Sequence, residues 1–478
     1  MNLRLSDILR INFTNIYIPD DHRAFLFKGV SIDTRTLTKG SIFFAIRGEK
    51  IDGHVFVNNA IKKGASAVVV DDKFFKTIKN DTKSIRSFLS VPVIIVRDTV
   101  KAFGELANIY RNKFNIPVIA VAGSNGKTTT KDMIASVLSE KYKVLSTEGN
   151  LNNQIGVPLT LFRLNEKHEI AVVEIGTNHF GEIKYLCKIL EPTHGVITNI
   201  GNEHLEFLKS ITGVKKEEGA LFDYLLKVKG KKTAFVNTDD ETIVGIARKL
   251  KNKIRYGIEN QKSDVRLLNE KSNGQGKYKF DVYSKKNNSN FSVSLKISGR
   301  HNMLNALAAS AIGLNFKVPS KNIKKALESF KPSSKRMEVI SIGKVTIIND
   351  AYNANLDSML CALETLKNIK SSGKKVIVLA DMLELGKASQ KHHNLVGEAI
   401  TRISEEVQTP IILLTFGNMA KYIHKAANLT KKFHYKDKSL LKNKLNSIVS
   451  GNDVLLVKGS RGMKMEDVVE SIIKKLRG

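Results

Sequence analysis

Of 478 residues, 42% are hydrophobic and 26% charged, a balance that supports buried cores and excludes a disordered, fibrous or collagen-like chain. The formal charge of +31 is carried mostly by lysines scattered along the whole sequence, without the clustered arginines and interleaved aromatics of a nucleic-acid groove, so no nucleic-acid partner is expected. Two cysteines, Cys187 and Cys361, exclude a disulfide framework, and no apolar run approaches the ~18 residues of a membrane span; a cytoplasmic chain is expected.

At roughly 100–200 residues per domain, the length predicts about three domains. The first block alternates short apolar runs (GVSIDT, SIFFAI, SAVVV, VPVIIV) with turns and a helix-like VNNAIKKGA, which reads as a small α/β domain ending near Asp98. An amphipathic stretch, VKAFGELANIYRNKFN, then leads into a strand from Ile116 to Ala122. The runs AVVEIG, HGVITNIG and KTAFVNT follow, alternating with helical patterns as βαβ units around a mainly parallel sheet do. From Ile254 to Ser298 the runs KYKFDVYS and FSVSLKI, separated by NGQG and KKNNSN, predict a β-hairpin extension.

A helix is predicted over Asn302 to Leu314, and KPSSKR marks the second joint. The last block alternates again: KVTIIND, a helix from Leu356, KKVIVLAD, a helix through Leu395, PIILLTF, DVLLVKGS and a final basic helix. It reads as a second doubly wound, Rossmann-like α/β domain, although it carries no G-x-G-x-x-G and hence no dinucleotide fingerprint. The expected boundaries are 1–98, 99–331 and 332–478.

The sharpest local feature is PVIAVAGSNGKTTTKDMIASVL, an apolar strand, a glycine turn and helical periodicity. That is the context of a phosphate cradle in a P-loop ATPase-like parallel sheet. Gly123 and Gly126 let the backbone turn its N–H groups toward an anion, and the helix start adds partial positive charge. Lys127 would reach the outer phosphates and the Thr128 hydroxyl a magnesium ion. Val121 stands where the standard pattern has its first glycine, so the loop is a shortened variant. Glu174 at the end of AVVEIG and His204 after GVITNIG would both sit at C-terminal strand ends, the edge that faces ligand in a parallel sheet.

As a set, these segments resemble the Mur ligase family of ATP-dependent amide-forming enzymes, almost from end to end. VSIDTRTLTKGSIFFAIRGEKIDGHVFV resembles the family's uridine-nucleotide-binding segment, which implicates Ser31, Asp33, Arg35, Arg47, Gly48, Asp52, Gly53 and His54. AGSNGKTTTK is similar to its ATP loop: Gly123, Ser124, Asn125, Gly126, Lys127, Thr128 and Thr129. GNLNNQIGVPLTL resembles the substrate and phosphate segment with Asn150, Asn152, Asn153 and Pro158, and GRHNMLNALAA the nucleoside-binding helix start with Asn302.

The resemblance further implies Arg336 and Asp350 at ATP across a domain cleft that stands open before substrates bind. Its dipeptide-adding branch is matched by IINDAYNANLDSM, DMLELG and VLLVKGSRGMKME, which points to Asn353, Asn355 and Asp381 for D-alanyl-D-alanine. The implied reaction is EC 6.3.2 chemistry in peptidoglycan precursor synthesis, and so in cell-wall biogenesis, cell shape and division. A UDP-N-acetylmuramoyl-tripeptide is activated by ATP and two Mg²⁺ ions as an acyl phosphate and coupled to D-alanyl-D-alanine by a monomer. Lys127, Glu174, His204, Asn150 and Arg336 would carry the chemistry, with Thr128, Glu174, His204 and Glu218 at metal.

Two departures stand out. Leu356 replaces the family's usual proline after NAN, which is expected to loosen that turn. In GVKKEEGALF, Glu218 falls where several relatives carry a carbamylated lysine, with Glu217 adjacent. Either Glu218 supplies the missing negative charge directly, through a water or a small backbone shift, or neither carboxylate meets metal. The paired His392 and His393 are expected to be solvated at a helix start rather than beside a dipeptide pocket.

Overall fold

The computed structural model describes residues 1, 3–19, 26–78, 88–230, 232–286, 288–332 and 335–477. Ser333 and Ser334, in the middle of the expected joint KPSSKR, lie outside the described residues. Two compact units emerge: Met1–Ile119, Lys143–Ile175 and Lys184–Pro192 in the first, and Ala120–Tyr142, Gly176–Ile183 and Thr193–Gly478 in the second.

In the first unit, the apolar runs of the opening block become a five-stranded sheet ordered Asn15–Tyr17, Val93–Val96, Ala67–Asp71, Ser41–Phe44, Gly29–Ser31. Only the Asn15–Tyr17 pairing is antiparallel. The inner strands are buried on both faces, as parallel strands covered by helices must be. Phe43, Val68, Val70, Phe75 and Phe88 fill one side of this core. Asp98 is the N-cap of helix Thr99–Arg111, its carboxylate accepting from the N–H groups of Val100 and Lys101. Strand Ile170–Glu174 runs parallel to Val144–Ser146 and ends on Glu174.

The second unit takes up the last three residues of strand Val118–Ala122, where Thr198 N–H meets the Ala122 carbonyl at 3.0 Å. Strands His194–Ile197, Thr233–Asn237, Lys253–Gly257 and Val265–Ser272 continue in parallel. The antiparallel hairpins then run through Lys277–Ser284 and Ser289–Ser298. The hairpin region therefore begins later than Ile254. Asp239 collects the N–H groups of Ile258, Glu259 and Asn260, and the chain re-enters the sheet in the same direction, Tyr256 beside Val265.

The last block forms a six-stranded sheet ordered Glu338–Ile342, Val345–Asp350, Val454–Lys458, Lys375–Ala380, Ile411–Phe416, Lys432–Tyr435, parallel apart from its first pair. Its C-terminal edge gathers Asp350, Ala380 and Lys458 and the loops that follow them. The expected α/β class with parallel sheets and a hairpin extension is what the chain adopts. Among the described residues no helix is long and apolar enough to cross a membrane.

Candidate active site

Strand Val118–Ala122 is fully buried and delivers the chain into the glycine turn before helix Lys127–Ser139. Gly123 adopts φ +114°; a Cβ there would overlap Thr198 Oγ1 and stand 2.8 Å from the Thr198 nitrogen. Gly126 adopts φ +77° as the helix N-cap, with no side chain capping the helix start. The turn is held from behind. The Ser124 N–H donates to the Asn199 carbonyl at 2.9 Å, Asn125 N–H to Asn199 Oδ1 at 3.0 Å, and Gly123 N–H to Glu218 Oε2 at 2.7 Å. The amides of 123–125 are thus engaged in shaping the loop, and an anion is left the uncapped helix start beyond Gly126. Lys127 folds back, its ammonium donating to the carbonyls of Gly123 and Ser124 and standing 3.4 Å from Glu203 Oε2. Thr128 is buried and Thr129 half-buried in the first turn of the same helix.

Around this turn sit two carboxylates. Glu218, on helix Ile211–Lys227, is fully buried, and Glu203 nearly so. Burial, reinforced by the neighbouring Glu203 carboxylate, pushes the Glu218 pKa up to about 8. Among the described residues, the Oε1 atoms of both have no hydrogen-bond partner. Glu217, the adjacent residue, turns elsewhere: it accepts from the N–H groups of Gly181 and Ile183, each at 2.7 Å, and from Thr177 Oγ1. His204 adopts φ +47° and places Nδ1 2.5 Å from Glu384 Oε2 and Nε2 3.8 Å from Glu203 Oε2.

Within the second unit, the C-terminal block docks on this loop. Asn355 Nδ2 donates to Asn125 Oδ1 at 2.9 Å, and the Asn202 N–H donates to Asp357 Oδ2 at 2.7 Å. Leu205, Leu208 and Val214 share a core with Leu356, Met359 and Leu363. Leu356 does not loosen its turn. It is the first residue of helix Leu356–Asn368, buried in that core, while Asn355 and Ser358 close the start with a reciprocal capping box.

Arg336 stacks on the Tyr352 ring with its guanidinium carbon 3.8 Å from the centroid. Asp350 accepts from the Met337 N–H at 3.0 Å and pairs with Lys458 at 2.5 Å. The backbone carbonyl of Asn353 accepts from the same lysine. Asp381 has its carboxylate occupied by the N–H groups of Asn418, Met419 and Ala420, and Asn302 donates to the Ser298 carbonyl while accepting from Asn305. His392 and His393 are buried rather than solvated. His393 Nε2 accepts from the Met382 N–H while Nδ1 meets the Ser389 carbonyl, because helix Ser389–Glu406 presents them on the apolar face with Val396 and Ile400.

In the first unit, Ser31 Oγ bonds the backbone of Asp33, and Asp33 pairs with Arg35 at 2.6 Å, the guanidinium holding its carboxyl at about 2. Arg47 pairs with Asp52 and, at 2.9 Å, with Asp71. The buried His54 bridges the same two residues, Nδ1 at 2.6 Å from Asp52 Oδ1 and Nε2 accepting from the Asp71 N–H. Gly48 and Gly53 donate to the Ile51 and Ile46 carbonyls, and a Cβ at Gly53 would stand 2.6 Å from the latter.

Glu174 is buried, with Oε1 accepting from Asn152 Nδ2 at 2.8 Å and Oε2 without a partner among the described residues. Asn153 Oδ1 accepts from the N–H groups of Ile155 and Gly156 where helix Gly156–Leu161, which contains Pro158, begins, and the Asn150 carbonyl accepts from the Asn152 N–H.

Three consecutive stretches match known domains: the Mur ligase family catalytic domain over residues 26–111, the Mur ligase middle domain over 121–313, and the Mur ligase glutamate ligase domain over 335–461. The chain is 36% identical to the UDP-N-acetylmuramoyl-tripeptide–D-alanyl-D-alanine ligase of Buchnera aphidicola subsp. Baizongia pistaciae, over 93% of this chain and 92% of that one.

The chain belongs to the Mur ligase family.

The enzymes of the same name from Bacillus subtilis strain 168 and Escherichia coli K12 are 35% and 34% identical, each over 93% of both chains. Among solved Mur ligases, MurF from Acinetobacter baumannii superposes with a TM-score of 0.85 at 28% identity over 99% of each chain. MurF from Thermotoga maritima in complex with ADP does so with 0.80 at 26%, over 94% of this chain and 98% of that one.

Within this Mur ligase, several residues of the site were missed by sequence reasoning. Asp71 anchors Arg47 and His54, Glu203 meets Lys127, Glu384 holds His204, and Asp357 bonds the backbone beside the loop. Glu203 and Asp71 had a weak signal: one directly precedes His204 and the other ends the apolar run SAVVVD.

Proposed function

We propose that this chain joins D-alanyl-D-alanine to UDP-N-acetylmuramoyl-tripeptide at the cost of ATP, in cytoplasmic peptidoglycan precursor synthesis. The observation that carries the reading is the uncapped start of helix Lys127–Ser139, behind a glycine turn whose own amides are engaged and beside the Lys127 ammonium. Such a helix start binds a polyphosphate through backbone N–H groups and partial positive charge.

A carboxylate is a poor electrophile. Transfer of the γ-phosphoryl group to the tripeptide's terminal carboxylate gives an acyl phosphate and ADP. The amine of D-alanyl-D-alanine attacks the acyl carbon, loses a proton and expels phosphate, leaving an amide. The chain's contribution is positioning and charge neutralisation rather than a nucleophile of its own. Lys127, moved off its own loop carbonyls onto the outer phosphates, offsets their charge. Arg336 and Asp350 meet the nucleotide from the C-terminal block, and Asn302 lies toward the base.

Two Mg²⁺ ions complete the proposed cofactor set. Thr128, Glu174, His204 and Glu218 are the residues that would serve them; among the described residues the buried Glu218 Oε1 has no hydrogen-bond partner, a donor suited to a hard divalent cation, which when bound would neutralise phosphate charge. The 26–54 segment, with Ser31, Asp33, Arg35, Arg47, Gly48, Asp52, Gly53 and His54, takes the uridine nucleotide, and Asn150, Asn152 and Asn153 its peptide-bearing end. Asn353, Asn355 and Asp381 belong to the loops that receive the dipeptide. We place the domain boundaries at 1–98, 99–331 and 332–478 and expect a cytoplasmic monomer without nucleic-acid partner.

The test is phosphate release from purified protein with Mg-ATP, the UDP-tripeptide and D-alanyl-D-alanine, each omitted in turn. Release that needs all components is expected, with Lys127→Met lowering kcat at least about 1,000-fold. Release that ignores the dipeptide would overturn the reading.

A further inference from the structure

Tyr352 carries two guanidinium groups. The Arg336 guanidinium carbon lies 3.8 Å and that of Arg461 4.9 Å from its ring centroid. Like charges are brought together only where something offsets the repulsion. The lysines nearby are paired, Lys458 with Asp350 at 2.5 Å and Lys335 with Glu466 at 3.2 Å. Among the described residues, neither Arg336 nor Arg461 has an acidic partner within ion-pairing distance or a hydrogen bond from its guanidinium. Two stacked, unneutralised guanidiniums form a site for oxyanions, which a planar fork binds bidentately.

Arg461 is placed for a ligand by its loop. It follows strand Val454–Lys458 at the C-terminal edge of the six-stranded sheet, where open α/β sheets bind ligands. Its neighbour Ser460 ties that edge together: the Ser460 N–H donates to the Asp381 carbonyl, and its hydroxyl accepts from the Leu383 N–H at 2.9 Å and donates to the Ala354 carbonyl at 3.2 Å. One residue thus fixes the loops of NAN, DMLELG and KGSRG relative to each other. Arg461 itself stays exposed at the start of the short turn Arg461–Met463, its head group laid on the ring.

We propose that Arg461, laid on Tyr352, binds the free carboxylate of the incoming dipeptide and so selects D-alanyl-D-alanine as an acid. This assignment rests on the dipeptide-transfer reading above. The dipeptide reacts through its amine, so its carboxylate persists through the reaction and needs a counter-charge at the site. Two extended residues span about 7 Å, so a carboxylate held on one guanidinium of the ring leaves the amine close to the other, Arg336, where the acyl phosphate forms. Tyr352 acts as a positioning residue, presenting both.

The experiment compares D-alanyl-D-alanine with its C-terminal amide as acceptors, following phosphate release by the unaltered chain, Arg461→Lys and Arg461→Ala. The unaltered chain is expected to show a KM about 10- to 100-fold higher for the amide. Arg461→Ala is expected to raise the KM for the dipeptide by a similar factor and to treat dipeptide and amide alike, with the KM for ATP unmoved. Arg461→Lys, which keeps the charge but not the fork, is expected to recover part of the discrimination. Arg461→Ala that still prefers the acid by the original factor overturns the assignment while the ligase reading stands, as does a rise confined to the KM for ATP. If the unaltered chain releases no dipeptide-dependent phosphate, the ligase reading itself falls and takes this assignment with it.

Discussion

Asn355 performs two tasks with one amide: Oδ1 accepts from the Ser358 N–H at 2.9 Å to cap helix Leu356–Asn368, and Nδ2 donates to Asn125 Oδ1 at 2.9 Å. A helix start in the C-terminal block is thereby tied to the phosphate loop.

The two tasks separate by substitution. Asn355→Asp keeps an acceptor for the cap but has no donor for Asn125. Its melting temperature should stay near that of the unaltered chain while nucleotide affinity falls several-fold. Asn355→Ala loses the cap as well and should cost about 1 kcal/mol of stability in addition. Calorimetric unfolding and ADP titration of both variants check this, and equal affinity loss without any stability difference would refute the division.

Gly123→Ala should destroy nucleotide binding. The added methyl would meet Thr198 at a backbone angle of φ +114°, so the loop must move off strand His194–Ile197. Strain and displacement together should cost more than about 2 kcal/mol. Tritiated-ATP filter binding and urea unfolding give the two readouts.

Glu218→Gln keeps an acceptor for the Gly123 N–H and removes the ionisable group. If Glu218 provides negative charge near metal, the Mg²⁺ concentration for half-maximal rate should rise about tenfold or more at saturating ATP, with the melting temperature little changed. Added bicarbonate should leave the unaltered enzyme's rate where it is. An unmoved Mg²⁺ requirement would leave Glu218 only its role behind the loop.

His393 predicts an acid-side loss of stability. Burial holds its pKa below the usual histidine value, and its Nε2 lone pair is committed to the Met382 N–H. Above pH ~6.5 the ring is neutral in both folded and unfolded chains and contributes no pH dependence; below it the unfolded chain binds a proton that the folded one refuses. Stability should therefore fall as pH drops from 6.5, by at most about 1.4 kcal/mol per pH unit from this group. In denaturant midpoints from pH 8 to pH 5, His393→Gln should show a shallower decline.

Sequence made the phosphate loop legible because everything that defines it is local: an apolar strand, two glycines and a lysine opening a helix within 22 residues. Glu174 and the strand that ends on it were legible for the same reason. What escaped were tethers between distant positions. Glu384 lies 180 residues from His204 and Asp357 lies 155 from Asn202, and no periodicity announces such pairs. The buried pair His392 and His393 was misjudged on residue type, although Val396 and Ile400 at helical spacing already marked an inward face. Leu356 illustrates the converse, since a first helical position accepts proline or an apolar residue equally well once the cap is in place.

Glu217 and Glu218 are neighbours on one helix and point about 100° apart, so a single rod grips two separate pieces of chain, residues 177–183 and the phosphate loop. Neither grip can slacken alone. A shift or rotation of that rod would be felt at Gly181 as well as at Gly123, which makes the two loops one mechanical part although the two glycines lie 58 positions apart.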